Sequence, residues 1–255
     1  MEQKTSHSYF VWSAVILGAS IVIGTGIVAY DIYKVKALNN VIQVTGSAQK
    51  EIASDIVKWR SNFSRTVGPN DLKTGYAQMK SDLDRVMKFL RDNGVKDEEI
   101  TIQPVTMNQI YSSGNGSYFG KPEYGGGGTL QGYNLIQSVM VESSEVQKIT
   151  KVAQDSSSLI NDGVVFSSNG LEYYYTKLAD LKVEMLGEAT KNAAERAKRV
   201  VESAGGTIGG LRSADMGVLQ ITPVNSPDVS DYGYYDTSSI EKQITAIVHA
   251  SFSVQ

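Results

Sequence analysis

No cysteine occurs among the 255 residues, which removes disulfides, thiolate nucleophiles, iron–sulfur clusters and Cys-ligated zinc together. Histidine is nearly as scarce. His7 and His249 are the only two, too few for a multi-histidine metal site and thin material for a nucleophile–base pair. A basic excess is missing as well: 24 Lys and Arg stand against 27 Asp and Glu, a net charge of -3. No surplus positive charge is available to neutralise phosphates, so nucleic acid is not an expected partner.

The most informative absence is local. From Thr5 to Tyr30 there is no Asp, Glu, Lys or Arg, and residues 11–30 read VWSAVILGASIVIGTGIVAY. A helix of that length spans about 30 Å, the thickness of a bilayer hydrocarbon core. Trp12, Tyr30 and Tyr33 flank the segment, where amphipathic rings favour the membrane interface. A buried core helix of a soluble domain rarely supplies so long an uncharged run, so the segment reads as membrane-spanning, with the lipid bilayer as partner of residues 11–30. A cleaved signal peptide remains the alternative, with Gly18-Ala19-Ser20 or Gly24-Thr25-Gly26 as small-residue cleavage sites. The apolar run continues past the first of these, which favours an uncleaved anchor. Lys4 lies on one side and Lys34 and Lys36 on the other, so the positive-inside rule does not set the orientation. The expected organisation is a tail (1–10), an anchor (11–33), a polar linker (34–40) and one domain (41–255).

Setting aside Lys4, Lys34, Lys36, Glu2 and Asp31 leaves that domain with 21 basic and 25 acidic residues, a net of -4. Its length suffices for a substantial core without staples. Residues 41–47 (VIQVTGS) form a short β-rich run ending in a Gly-Ser turn. Along 55–67, Val57, Trp59, Phe63 and Val67 alternate with Lys58, Arg60, Asn62 and Ser64, the period of a half-buried strand. The period changes over 71–93, where Tyr76, Met79, Leu83, Val86 and Leu90 recur every three or four residues. Asn70 is the expected N-cap and Asn93-Gly94 the stop. Residues 100–111 return to strand, with Pro104 marking an edge or bulge. A Gly/Ser/Tyr loop follows over 112–132, then a strand over 133–142 with Leu135, Val139 and Val141 on one side.

Ser144-Glu145-Val146-Gln147 fits a capping box opening a helix to about Ile160. Asn161-Asp162-Gly163 stops it, and 164–175 reads as a strand. Leu178, Leu181, Met185, Ala189, Ala193, Ala197, Val200 and Ala204 form the apolar stripe of a long helix. Its alanines permit close approach to a sheet or another helix. Acids Asp180, Glu184 and Glu188 lie toward its start and Arg196, Lys198 and Arg199 toward its end, as the helix dipole favours. Gly205-Gly206 ends it. A strand over 212–222, a second Tyr/Asp/Ser loop over 223–239 and a strand over 240–254 complete the chain. The class is α+β: antiparallel β-hairpins packed with about three α-helices, preceded by one transmembrane helix.

The wording and order of this chain resemble the SIMPL-domain family, which includes the periplasmic immunogenic proteins of bacterial envelopes. The resemblance runs through Val41-Ile42-Gln43-Val44-Thr45-Gly46-Ser47-Ala48 and Asp55, then Leu90-Arg91-Asp92-Asn93-Gly94-Val95, Glu98-Glu99-Ile100-Thr101 and Tyr111. It continues in Gly132-Tyr133 and Gly163-Val164-Val165-Phe166-Ser167, in the Ala-rich stretch 189–206 and in the terminal strand 247–254. It implies an α+β envelope protein, in some members assembled into large rings, with no agreed enzymatic chemistry and links to oxidative or envelope stress and to kinase signalling. It brings no catalytic motif, cofactor or metal ligand to transfer. The implied location is a bacterial inner membrane, single-pass, with the domain on the periplasmic side. Two features depart from the family pattern: the anchor-like N-terminus, where many members carry a cleavable signal, and the Tyr/Gly-rich loops.

Few residues suggest chemistry. His249 shares a strand face with Thr245, Ile247, Ser251 and Ser253, where a hydrogen-bonded surface histidine is the ordinary reading. Asp228, Asp231 and Asp236 offer oxygen ligands in the second loop, without the spacing or bidentate Glu of a calcium loop. The carboxylates Asp82/Asp84 and Asp97/Glu98/Glu99 flank the first domain helix. Gly125–Gly128 and Gly205–Gly210 contain no G-x-G-x-x-G and no following Lys-Ser/Thr, so a phosphate cradle is not expected. The tyrosines are more suggestive: Tyr111, Tyr118 and Tyr124 in one loop, Tyr232, Tyr234 and Tyr235 in the other, and Tyr173-Tyr174-Tyr175 as a third group. Tyrosine beside Gly and Ser makes an adaptable contact surface at low entropy cost. The expectation is a non-enzymatic, self-assembling envelope protein or, alternatively, a ligand- or protein-binding module that uses these loops without forming a large oligomer.

Overall fold

The computed structural model describes residues 6–38, 40–112, 128–226 and 232–254. In chain order the helices are α1 (Ser6–Leu38), α2 (Leu72–Asp92), α3 (Val146–Asp155) and α4 (Leu178–Ser203). The strands are β1 (Val41–Ala53), β2 (Ile56–Val67), β3 (Ile100–Ile102), β4 (Thr106–Tyr111), β5 (Leu130–Ser143), β6 (Val165–Tyr174), β7 (Ile208–Met216), β8 (Gln220–Pro223), β9 (Tyr234–Tyr235) and β10 (Glu241–Val254). Two compact units result. The first holds the described parts of Met1–Gln49, Asp180–Leu219 and Thr245–Gln255; the second holds those of Lys50–Ala179 and Gln220–Ile244.

In the first unit, Val11–Ile32 is long and apolar enough to cross a membrane, and none of it is buried. Two of its hydroxyls are satisfied within the helix: Ser20 Oγ donates to Ile16 O at 2.7 Å and Thr25 Oγ1 to Ile21 O at 2.8 Å. That internal pairing is what a hydrocarbon environment demands. The helix also continues to Leu38, so the expected linker is mostly helical. No Gly or Pro interrupts 31–38, and Lys, Ala and Leu are good helix formers.

β10 carries β1 along one side and β7 along the other half of its opposite side. The backbone bond from Val254 N to Asn40 O and the side-chain contact between Thr45 and His249 fix an antiparallel register for β1 and β10. One face of this sheet is closed by α4. Met185, Ala189, Ala193 and Ala197 are fully buried, with Leu181 and Val201 nearly so. The expected Val200 is instead 55 % exposed, because the stripe steps by four from Ala197 to Val201. Gly46 lies directly against the α4 backbone at Ala189 and Ala193, the close approach that the alanines permit.

The same helix closes the outer edge of β1. Asn192 Oδ1 accepts the Ser47 N–H at 3.2 Å, and Arg196 Nη1 donates to the Thr45 carbonyl at 2.9 Å. Unpaired edge groups of this kind invite strand addition from another chain. Replacing Asn192 by Ala is expected to lower stability by about 1 kcal/mol, the net worth of one hydrogen bond, read as a shifted denaturation midpoint of the full chain in detergent.

The second unit is built on an antiparallel sheet of order β3-β5-β2-β6, with β4 also on β5. β2 is its centre: Val57, Trp59 and Phe63 point inward and are fully buried, as the period-two pattern predicts. Ser61 shares their face and donates to Val139 O at 2.9 Å. From β5, Leu135, Val139 and Val141 join the core, with Met79, Val86 and Leu90 of α2 and Val146, Ile149 and Val152 of α3. Trp59 meets Phe166 edge-on at 5.9 Å and donates its indole N–H to Ser168 Oγ at 2.9 Å, so its polar tip is satisfied.

Several local expectations change. The buried stripe of α2 is Gly75, Met79, Asp82, Val86 and Leu90, with Tyr76 43 % exposed. Gly75 takes the inward place beside Tyr76, tight against Leu135 and Val67, and Asp82 takes that of Leu83, accepting Nε and Nη2 of Arg65 at 2.5 and 2.8 Å and Nη1 of Arg85 at 3.0 Å. Asp71 rather than Asn70 is the N-cap, without a side-chain cap bond. The strand expected over 100–111 divides into β3 and β4 around Pro104, which lacks a ladder N–H. The capping box at Ser144 does not form: Glu145 is the N-cap of α3 with no side-chain cap bond. Ser143 Oγ instead accepts the Glu145 N–H at 3.0 Å and donates to Glu99 Oε1 at 2.5 Å. Beyond Asp155 the α-helix tightens into a 3₁₀ turn, Ser156–Asp162, closed by Gly163 at φ 76°, where glycine tolerates the left-handed conformation. β1 extends to Ala53, six residues past the expected end, and the strand expected over 212–222 becomes β7 and β8. β8 and β9 form a short parallel pair beside the otherwise antiparallel ladders.

Candidate functional site

The tyrosine groups are partly united. In the second unit, the rings of Tyr174 and Tyr235 lie 6.3 Å apart, tilted by 31°, and the Tyr175 N–H reaches Tyr235 Oη at 3.5 Å. Tyr232, Tyr234 and Tyr235 are 97, 41 and 40 % exposed. The loop is therefore an aromatic surface resting on β6, not a collapsed plug. Tyr111 ends β4 as an exposed ring whose hydroxyl donates to Gln109 Oε1 at 2.7 Å, and it makes no bond to the others among the described residues. Tyr118 and Tyr124 lie outside the described residues. Tyr173 is a core residue, its hydroxyl 3.0 Å from Thr150 Oγ1.

Charges frame this surface. Arg60 pairs with Glu172 at 3.3 Å, Lys58 with Glu142 at 3.0 Å, and Lys58 Nζ stands 5.5 Å from the Tyr174 ring centre. Tyr174 donates its hydroxyl to Glu172 Oε2 at 2.8 Å. That bond, reinforced by burial, raises the phenol above its ordinary value.

The loop is held from below by a buried ion pair that no sequence motif marks. Lys242 is fully buried, and its Nζ donates to Asp236 O at 2.7 Å, Ser239 O at 2.6 Å and Asp236 Oδ2 at 3.2 Å. Asp236 also accepts the Ser238 N–H and hydroxyl on Oδ1, at 2.8 and 2.7 Å, and the Ser239 N–H and hydroxyl on Oδ2. Burial pushes this carboxyl up, but the hydroxyls of Ser239 and Ser238, the Ser238 N–H and Lys242 outweigh it and hold it far below the carboxylate range. Lys242 is lowered by desolvation, which Asp236 offsets only in part. The oxygens of Asp236 are thus committed to the loop, which removes it from the calcium reading; Asp228 and Asp231 lie outside the described residues. The missed signal is parity, since Lys242 falls in phase with inward-facing Ile244, Ala246 and Val248.

Most of the carboxylates beside the first domain helix are also engaged. Asp82 faces the core, whereas Asp84 is exposed on another face. Asp97 binds Arg91 through paired bonds of 2.7 and 3.0 Å. Burial raises Glu99, yet Ser143 and the Lys96 N–H overcome it and lower the carboxyl. Among the described residues, no three or more Asp, Glu or His side chains converge as metal ligands. Gly125, Gly126 and Gly127 lie outside the described residues.

The first unit presents a polar cavity of about 430 Å³ on the sheet face away from α4, lined by Gln43, Thr45, Ser213, Asp215, His249 and Ser251. His249 occupies the middle strand: its Nδ1 is 3.1 Å from Thr45 Oγ1 on one side, and Asp215 is its register partner on the other. Ser213 and Ser251, the next pair in register, share a 2.6 Å hydroxyl bond. His249 is the exposed, hydrogen-bonded strand histidine expected from its alternation.

No curated protein matches the chain. The model of one family, described as SIMPL, a protein family of unknown function (DUF541), matches residues 42–252. Its span starts at β1 and ends within β10, so both compact units contribute to it. The chain therefore belongs to the SIMPL family.

Proposed function

We propose that this chain is a single-pass membrane protein that holds its SIMPL domain on the extracytoplasmic side of a bacterial inner membrane, where the domain works by contact and self-assembly, not catalysis, as a scaffold or stress-protective component. The observation that carries the reading is α1, apolar on every side and uncovered over Val11–Ile32. A helix without a polar face belongs in lipid or in a protein core, and none of this one is buried. Assembly is supported by the asymmetry of the first unit's sheet. The edge of β1 is capped by Asn192 and Arg196, whereas among the described residues β7 pairs only with β10. β7 also leaves Leu211 and Met216 about half exposed opposite buried Phe252 and Val248, an open edge suited to a second copy.

Light scattering of the full chain in detergent is expected to give a defined oligomer, and a monomer at micromolar concentration overturns self-assembly. Protease added to intact cells with a permeabilised outer envelope is expected to digest the domain; protection until the inner membrane is opened would place it in the cytoplasm. The Tyr232–Tyr235 surface favours a second reading, capture of a protein partner without a large oligomer. Under it, Tyr234→Ser/Tyr235→Ser abolishes capture and leaves the oligomeric state unchanged.

A further inference from the structure

We propose that His249 and Asp215 form a surface chelate for a divalent first-row transition-metal ion of the zinc type. The two residues face each other across β10 and β7 as register partners. Side chains so placed start about 4.5–5.5 Å apart at Cβ, close enough for both to reach one ion at about 2.0–2.2 Å from each donor. The Asp215 carboxylate makes no hydrogen bond or ion pair among the described residues, so its oxygens are available.

Thr45 supplies the positioning. A metal-bound imidazole usually donates its other ring N–H to a neighbour, which fixes tautomer and orientation. Thr45 Oγ1 stands 3.1 Å from Nδ1 on the side of the ring toward β1. When Nδ1–H donates to it, Nε2 keeps its lone pair for a metal. The cavity of about 430 Å³ leaves room for bound waters, and the paired hydroxyls of Ser213 and Ser251 supply neutral oxygens beside them. An imidazole in the donor set selects zinc, nickel or copper over magnesium and calcium, which prefer all-oxygen sites. With one imidazole and one carboxylate from the protein, the ion is held more weakly than in a closed structural site.

The composition makes the test clean, because the chain has no cysteine and its only other histidine is His7. Zinc chloride is titrated calorimetrically into the full, untagged chain in detergent. One saturable site per chain is expected, unaffected by a large excess of magnesium. His249→Ala removes it, Asp215→Asn and Thr45→Val each weaken it by about tenfold or more, and His7→Ala leaves it intact. His249, Asp215 and Thr45 are exposed, so the metal-free variants should melt with the parent, and that melt separates lost binding from lost folding. Absence of saturable zinc binding, binding that survives His249→Ala in a folded variant, an affinity left unchanged by Asp215→Asn, or equal binding of magnesium overturns the proposal.

Discussion

Lys242→Met is expected to destabilise the second unit by about 3–5 kcal/mol, the usual cost of removing one partner from a buried ion pair. Methionine fills nearly the same volume, so the loss is electrostatic. Three acceptors each lose the lysine as a donor at once: the carbonyls of Asp236 and Ser239, and Asp236 Oδ2, which keeps only its bonds from Ser239. The side chains are 0 and 2 % exposed, so water does not replace the lost bonds and solvent screening does not soften the change. Because Asp236 also organises Ser238 and Ser239, the variant should loosen the loop bearing Tyr232, Tyr234 and Tyr235 before the sheet melts. Amide exchange is expected to accelerate at residues 236–240 while Trp59 remains protected in the core. A midpoint within the error of the parent would show that the lysine is dispensable.

The same pair predicts a pH dependence. Asp236 is held far below its unfolded value, so its contribution is present above the ordinary carboxylate range, near pH 4, and is lost as pH falls below it. Lys242 has the opposite bookkeeping: its proton is bound less tightly in the folded chain, so stability from this group rises, not falls, toward the lysine range. Acidification therefore removes the parent's advantage, and the gap between parent and Lys242→Met should narrow from pH 7 toward pH 3.

Where sequence and structure agree, a single period governs the outcome. The alternation of β2 placed Val57, Trp59 and Phe63 inside, and the four-residue steps of α4 placed Met185, Ala189, Ala193 and Ala197 inside. Disagreement arises where a polar residue takes an inward position. Asp82 takes the inward place expected of Leu83 in the stripe of α2, paired with two arginines, and Arg65 comes from β2, a partner that spacing along the helix does not reveal. Lys242 was concealed in the same way, its acceptors supplied by an irregular loop. Edge protection by Asn192 and Arg196 depends on which strand α4 crosses, information held in the packing of Gly46. The His249–Asp215 pair depends on the register between β10 and β7 and was equally invisible to local pattern.

Gly46→Ala should be the most damaging single-methyl change in the first unit. A Cβ at 46 would strike the Ala189 carbonyl oxygen and lie 2.5 Å from Ala193 N and 2.7 Å from Ala193 Cβ. Two of these three obstacles are helix backbone, which cannot rotate away as a side chain can. Either α4 lifts from the sheet or β1 shifts, and both reopen the tight contact that buries Ala189, Ala193 and Ala197. Ordinary overpacking costs about 1–3 kcal/mol; here the loss should reach or exceed the upper end, because displacement of α4 also breaks the caps from Asn192 and Arg196 on the β1 edge. A second substitution identifies the cause. Ala193→Gly removes the Cβ contact but leaves both backbone atoms in place, so Gly46→Ala/Ala193→Gly should remain about as unstable as Gly46→Ala alone in denaturation of the full chain in detergent. Full recovery in the double variant would mean that the side-chain contact, not the helix backbone, sets the distance between α4 and β1.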